Sequence, residues 1–177
     1  MSRLLIAGMG NVLRGDDGFG VEAAKHLATL HSNGPDVRVI EVGIGGIHLV
    51  QELMEGYDML VVIDAVDRGS SPGTVHLLEA DVPDLAEWAE NERADFLADM
   101  HYTTPSKALV LARALGVLPP VVYILGCQPA ETDAVGIGLT SSVAQAVPKA
   151  VDVVREIMQR SQDQGVDERP SSSVGMA

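Results

Sequence analysis

The 177-residue chain carries a formal charge of −13, from 12 Lys and Arg against 25 Asp and Glu with no basic cluster, which argues against nucleic acid and anionic membrane as partners. With 46% hydrophobic but only 3% aromatic residues, its core has to be aliphatic, as in a parallel sheet buried between helices. A single cysteine, Cys127, excludes an internal disulfide and fits a reducing compartment, and no apolar run reaches the ~18 residues of a membrane span.

The predicted elements alternate along the chain. Leu4 to Gly8 is an apolar first strand, and after a glycine-rich loop a helix runs from Gly20 to Leu30 with Val21, Ala24, Leu27 and Ala28 on one face. Val37 to Val42 is a short second strand. Gly43, Gly45 and Gly46 then form a turn before a helix around Ile47 to Met54. Met59 to Ile63 is apolar throughout and is expected to be the central strand. The turn-rich VDRGSSPG leaves little room for a crossover helix before Thr74 to Leu78, so that fourth strand is expected to run antiparallel at an edge. Asp81 to Asp99 is acidic and is expected to be a helix or an irregular cover. Thr104 as cap and Pro105 at the first helical position start the helix SKALVLARAL. Val121 to Leu125 is the last strand and Val143 to Met158 the last helix.

The expected fold class is α/β: a three-layer α/β/α sandwich around a five-stranded, mostly parallel twisted sheet with one antiparallel edge strand. Residues 1–159 are expected to form a single domain, and residues 160–177, rich in Gln, Asp, Ser, Gly and Pro, a polar disordered tail. The N-terminus enters a strand after a single Arg with no leader-like segment, so the expected compartment is the cytoplasm. An acidic monomer is the expected state.

The first loop, GMGNVLRGDDGFG, poses the chemical question. Its strand, glycines and helix resemble a nucleotide-binding turn, but Leu13 stands where a dinucleotide fingerprint needs its third glycine. At the helix start, where a pyrophosphate would sit, lie Asp16 and Asp17. Two unit charges about 5 Å apart repel by roughly 3 kcal/mol at an effective dielectric near 20, so the loop suits a cation better than a phosphate. Helix capping accounts for one aspartate and leaves the other without a role. In an open sheet, ligands gather beyond the carboxyl ends of the strands, and Asp64 closes the apolar third strand there, where it serves as a turn residue or as a paired or metal-bound group. His101, in the loop DMHYTTP, supplies an imidazole that could complete a divalent-metal set or be merely structural. Cys127 has no evident histidine base, and there is no His-Glu-x-x-His helix.

Taken together, GMGNVLRGDDGFG, VVIDAV followed by PGTV, the histidine in DMHYTTP, ILGCQP and GIGLT resemble the hydrogenase maturation endopeptidases over about Leu4 to Met158. The resemblance implies a peptidase of the aspartic or metal-dependent type. It would remove the C-terminal extension of a [NiFe] hydrogenase large-subunit precursor, with nickel carried by the substrate as the recognition element, although another divalent metal could occupy the site. It implies Asp17, Asp64 and His101 as both catalytic and metal-binding residues, and leaves Asp16 a cap or supporting role. The EVGIGG turn departs from the small acidic or glycine-rich turn often found there, which leaves Gly43, Gly45 and Gly46 as recognition candidates. Alternatives from other classes are a noncatalytic nickel checkpoint protein and a nucleotide-binding Rossmann-like enzyme.

Overall fold

A computed structural model describes residues 2–30, 35–98, 104–132 and 135–167. Leu4–Met9 (β1) is buried at every position and pairs in parallel with Val37–Gly43 (β2) on one side and Met59–Ala65 (β3) on the other. β3 pairs in parallel with Val121–Cys127 (β5), which pairs antiparallel with Val75–Glu79 (β4), giving the order β2-β1-β3-β5-β4. The central place of β3 and the antiparallel edge strand β4 are therefore as the sequence predicts. β2, the other edge strand, alternates buried valines with the exposed Arg38 and Glu41, whereas the interior strand β1 is apolar to both faces.

Helices cover both faces. Phe19–Leu30 (α1) and Ala146–Asp167 (α6) pack on one side through Phe19, Ala24, Leu27, Val151 and Val154. Gly46–Leu53 (α2) and Pro105–Ala114 (α4) pack on the other through Leu49, Leu53, Leu109 and Ala112. The α4 start is as expected: Thr104 is the N-cap, its Oγ1 accepting from Lys107 N at 3.3 Å, and Pro105 is the first helical residue. The acidic cover is a 3₁₀ turn at Leu85–Glu87 and a helix at Glu90–Ala98 (α3), anchored by Phe96 edge-on to Trp88.

Two boundaries differ from the sequence reading. The last helix divides into Ser141–Ala144 (α5) and α6, because a continuous helix would need an N–H from Pro148 to reach Ala144. In the first turn of α6 that missing donor goes unnoticed. α6 also runs to Asp167, past Met158, so the first residues of the segment read as a tail are helical. The buried stripe of Val154, Ile157 and Met158 continues into Ser161, 3% exposed, whose hydroxyl donates to Met158 O at 2.8 Å.

α1 lies on the sheet at backbone contact. A Cβ on Gly20 would stand 2.0 Å from Ile63 O and 2.4 Å from Met9 O, and one on Gly8 would stand 2.3 Å from Gly20 O. The start of the helix is thereby pressed against the carboxyl ends of β1 and β3.

Candidate active site

The loops beyond the carboxyl ends of β1, β3 and β5 bring the acidic residues together. Asp16 and Asp17 occupy a 3₁₀ turn, Gly15–Gly18, that leads into α1, and Arg14 at its N-cap makes no side-chain capping bond. Neither aspartate caps the helix in the expected way.

Asp16 points inward and is fully buried. Its Oδ2 accepts from Ala130 N at 2.8 Å, Glu131 N at 3.2 Å and Thr140 Oγ1 at 2.9 Å, and its Oδ1 accepts from Thr140 N at 2.7 Å. A buried carboxylate is tolerated when donors surround it in this way. It holds the start and end of the β5–α5 loop against the β1–α1 loop.

Asp17 points the other way. Its Oδ2 accepts from Asn11 N at 3.0 Å, while Asn11 Oδ1 accepts from Leu13 N at 3.0 Å in a local side-chain turn. Gly10, with φ +117°, lies between the main chain of Asp17 and the side chain of Asp64; a Cβ there would lie 1.8 Å from the Asp17 backbone carbonyl oxygen and 3.4 Å from Asp64 Oδ1. Only glycine fits a positive φ with so little space.

Asp64, next to last in β3, accepts from Ala65 N at 2.9 Å. Burial pushes its carboxyl up from the ordinary 3.8 to about 7; the Ala65 N–H works against that rise and the charge of Asp17 adds to it. Asp17 and Asp64 are therefore electrostatic neighbours. Two oxygens-only side chains suit a divalent cation, and the proton held at Asp64 would leave when the cation arrives. Among the described residues no third acid, thiol or imidazole joins them to complete a metal cluster. His101, the remaining expected ligand, lies outside the described residues.

The other candidates divide clearly. Cys127 is buried, with Sγ 3.8 Å from Gln128 O, and its thiol is pushed up to about 11, first by burial and then by the charge of Asp16, which removes it as a nucleophile. His76 bonds Ser70 Oγ through Nε2 at 2.9 Å in the β3–β4 turn. The EVGIGG turn borders the first loop, with Gly10 N donating to Gly43 O at 3.0 Å.

Sequence reasoning missed Gln128. Only 5% exposed, it accepts at Oε1 from Arg68 N at 2.7 Å and Ser70 N at 3.2 Å, and donates from Nε2 to Asp67 Oδ1 at 2.9 Å. It fixes the loop that follows Asp64. The available signal was a polar residue at the end of the apolar run in ILGCQP.

The geometry is joined by kinship. The family model described as hydrogenase maturation protease matches residues 21–157. The chain belongs to the hydrogenase maturation protease family. The hydrogenase expression/formation protein HupD of Rhizobium leguminosarum bv. viciae is 31% identical over 171 residues, covering 97% of this chain and 81% of that protein. HupD of Rhodobacter capsulatus is 34% identical over 157 residues, covering 88% and 71%. Among solved structures, the hydrogenase maturating endopeptidase HybD from E. coli superposes with a TM-score of 0.71 at 25% identity, covering 90% of this chain and 93% of that one. The hydrogenase 2 maturation peptidase from a Thaumarchaeota archaeon gives a TM-score of 0.63 at 31% identity over 88% and 97%. This maturation protease has the mostly parallel five-stranded sheet with one antiparallel strand. None of its described helices is long and apolar enough to cross a membrane.

Proposed function

We propose that this maturation protease is an endopeptidase that removes the C-terminal extension of a [NiFe] hydrogenase large-subunit precursor once nickel is in place, and that Asp17, Asp64 and His101 meet the nickel borne by the substrate. The observation that carries the proposal is the buried Asp64 carboxyl at the end of β3, raised to about 7 by burial and by the neighbouring charge of Asp17. Family membership supplies the reaction class.

Two carboxylates and an imidazole would leave positions open for the precursor's own ligands or a water. An empty precursor offers these side chains nothing to bind, so the contact acts as a checkpoint before an irreversible step. The substrate's metal can polarise the scissile carbonyl or an attacking water. Asp64, with a pKa close to neutrality, is suited to exchanging a proton with that water. The acidic, single-cysteine chain is proposed to act as a cytoplasmic monomer.

Intact-mass spectrometry of a cognate precursor, nickel-loaded or nickel-free, after mixing with the wild type or with Asp64→Asn, tests this. Nickel-dependent loss of a short C-terminal peptide with the wild type alone is expected. Binding with unchanged precursor mass would instead assign the protein to a noncatalytic checkpoint.

A further inference from the structure

Asp64 and a large apolar cavity share one face of the sheet. Along β3 the side chains of Ile63 and Ala65 pack toward α1 and α6, while Val62 packs toward α2 and α4. Asp64, two residues after Val62, therefore points to the α2 and α4 side. Across the sheet Val62 is opposite Ile124 on β5, and Ile124 is opposite Leu78 on β4. Ile124 and Leu78 line a cavity of about 450 Å³, together with Trp88 and Phe96 of the acidic cover and Val110 of α4. Strands lie ~4.8 Å apart and rise ~3.3 Å per residue, so the Ile124 Cα is about 8 Å from that of Asp64.

The cavity also reaches the site end of the sheet. α4 leads through a short connection into β5, so it runs against that strand and its first turn lies toward the carboxyl ends, as Asp64 does. Ser106 and Lys107 of that turn line the cavity. Its volume falls in the range of about 300–1,000 Å³ typical of ligand sites. A free ligand needs placed polar groups inside such a site to fix its orientation. Here the polar lining residues are exposed, apart from the half-buried Lys107, and the interior is apolar. A side chain held by its own peptide needs no such groups, and about 8 Å is two to three residues of extended chain.

We propose that this cavity is a specificity subsite that receives an apolar side chain of the precursor within about three residues of the bond to be cut; this rests on the endopeptidase reading above. Affinity comes from the apolar area that such a side chain removes from water against Ile124, Leu78 and the two rings. Trp88 and Phe96 brace one another edge to face, with centroids 5.4 Å apart. Selectivity comes also from the rim, where the exposed Glu79 and Asp81 repel an acidic side chain.

The test uses nickel-loaded precursors in which each of the three residues on either side of the scissile bond is replaced in turn by Leu, Ala or Asp. With the wild type, one position should prefer Leu, and Asp there should raise KM about tenfold or more. Ser106→Phe places a ring at the cavity from an exposed position, so stability should change little while the preference collapses. Leu78→Ala deepens the cavity and should shift the preference from Leu toward Phe, which a merely loosened fold would not do. A wild type without such a preference, or a preference unchanged in both variants, overturns the subsite and leaves the endopeptidase reading intact. Occupancy is read separately, because Trp88 is the sole tryptophan and 5-fluorotryptophan labelling gives one fluorine NMR signal. Precursor should shift that signal, and the Asp replacement should abolish the shift. If the wild type binds precursor without cleaving it, the endopeptidase reading fails, while a shifted signal still supports the cavity as a precursor site and an unmoved one overturns it. A shift that survives every Asp replacement assigns the cavity to another segment and overturns the proposal.

Discussion

Asp64→Asn should leave the protein inactive and at the same time more stable. Burial holds the Asp64 carboxyl at about 7 against an ordinary 3.8. A carboxyl with a raised folded-state pKa binds a proton that the unfolded chain has already released. Its contribution is complete below about pH 4 and is lost as the pH climbs to about 7. Roughly three units at ~1.4 kcal/mol each set an upper bound of ~4 kcal/mol for that loss. Asparagine has the same shape, still accepts from Ala65 N–H, and carries no charge to desolvate. The variant should therefore gain on the wild type by up to ~1.4 kcal/mol per pH unit across this window and hold the gain above it. For a chain of this size the separation in Tm should widen by up to roughly 10 °C. Calorimetric melting of both proteins in chelator-treated buffers from about pH 4.5 to pH 8, with precursor cleavage measured alongside, provides the test. A Tm difference that stays constant across that range would refute the account of Asp64.

The adjacent aspartate behaves in the opposite way. Asp16→Asn replaces an acceptor oxygen with a donor amide among N–H and O–H donors, and urea denaturation should show a loss of about 2–4 kcal/mol. Gly20→Ala drives a methyl into the carbonyls of Ile63 and Met9, and the same measurement should show a loss of about 3 kcal/mol or more. Cys127, buried with its thiol pushed up to about 11, should resist alkylation near pH 8 in the folded protein and react fully in denaturant; rapid labelling of the native state would contradict that environment.

Much of this architecture is legible in the residues because its signals are local. β3 declares itself by an unbroken apolar run, and Asp64 stands out because an acid at the end of such a run is costly without a purpose. The antiparallel β4 follows from the shortness of VDRGSSPG, and α4 from Thr104 and Pro105. What escapes is set by long-range contacts. Composition and spacing alone do not separate Asp16 from Asp17; the resemblance singles out Asp17, but the supporting role left to Asp16 takes its form from Ala130, Glu131 and Thr140, more than 110 residues away, which make it a buried fourfold acceptor. Gln128 serves a turn some 60 residues away, so nothing near it in sequence marks its function. The extent of α6 was concealed by polar composition, which masks the stripe that ends in Ser161.

The backbone contact of Gly8 and Gly20 has a dynamic consequence. Regions buried against several strands open only with the whole molecule, whereas loops open locally at little cost. α1 packs on β1, β2 and β3, and its first turn is lodged against the main chain of two of them. Amide exchange in that turn should accordingly proceed through global unfolding alone. The acidic turn Gly15–Gly18 is continuous with it, so the backbone of Asp17 is tied to one of the most protected parts of the fold. The main chain that carries Asp17 is thereby anchored to the core of the fold rather than to the loops around it.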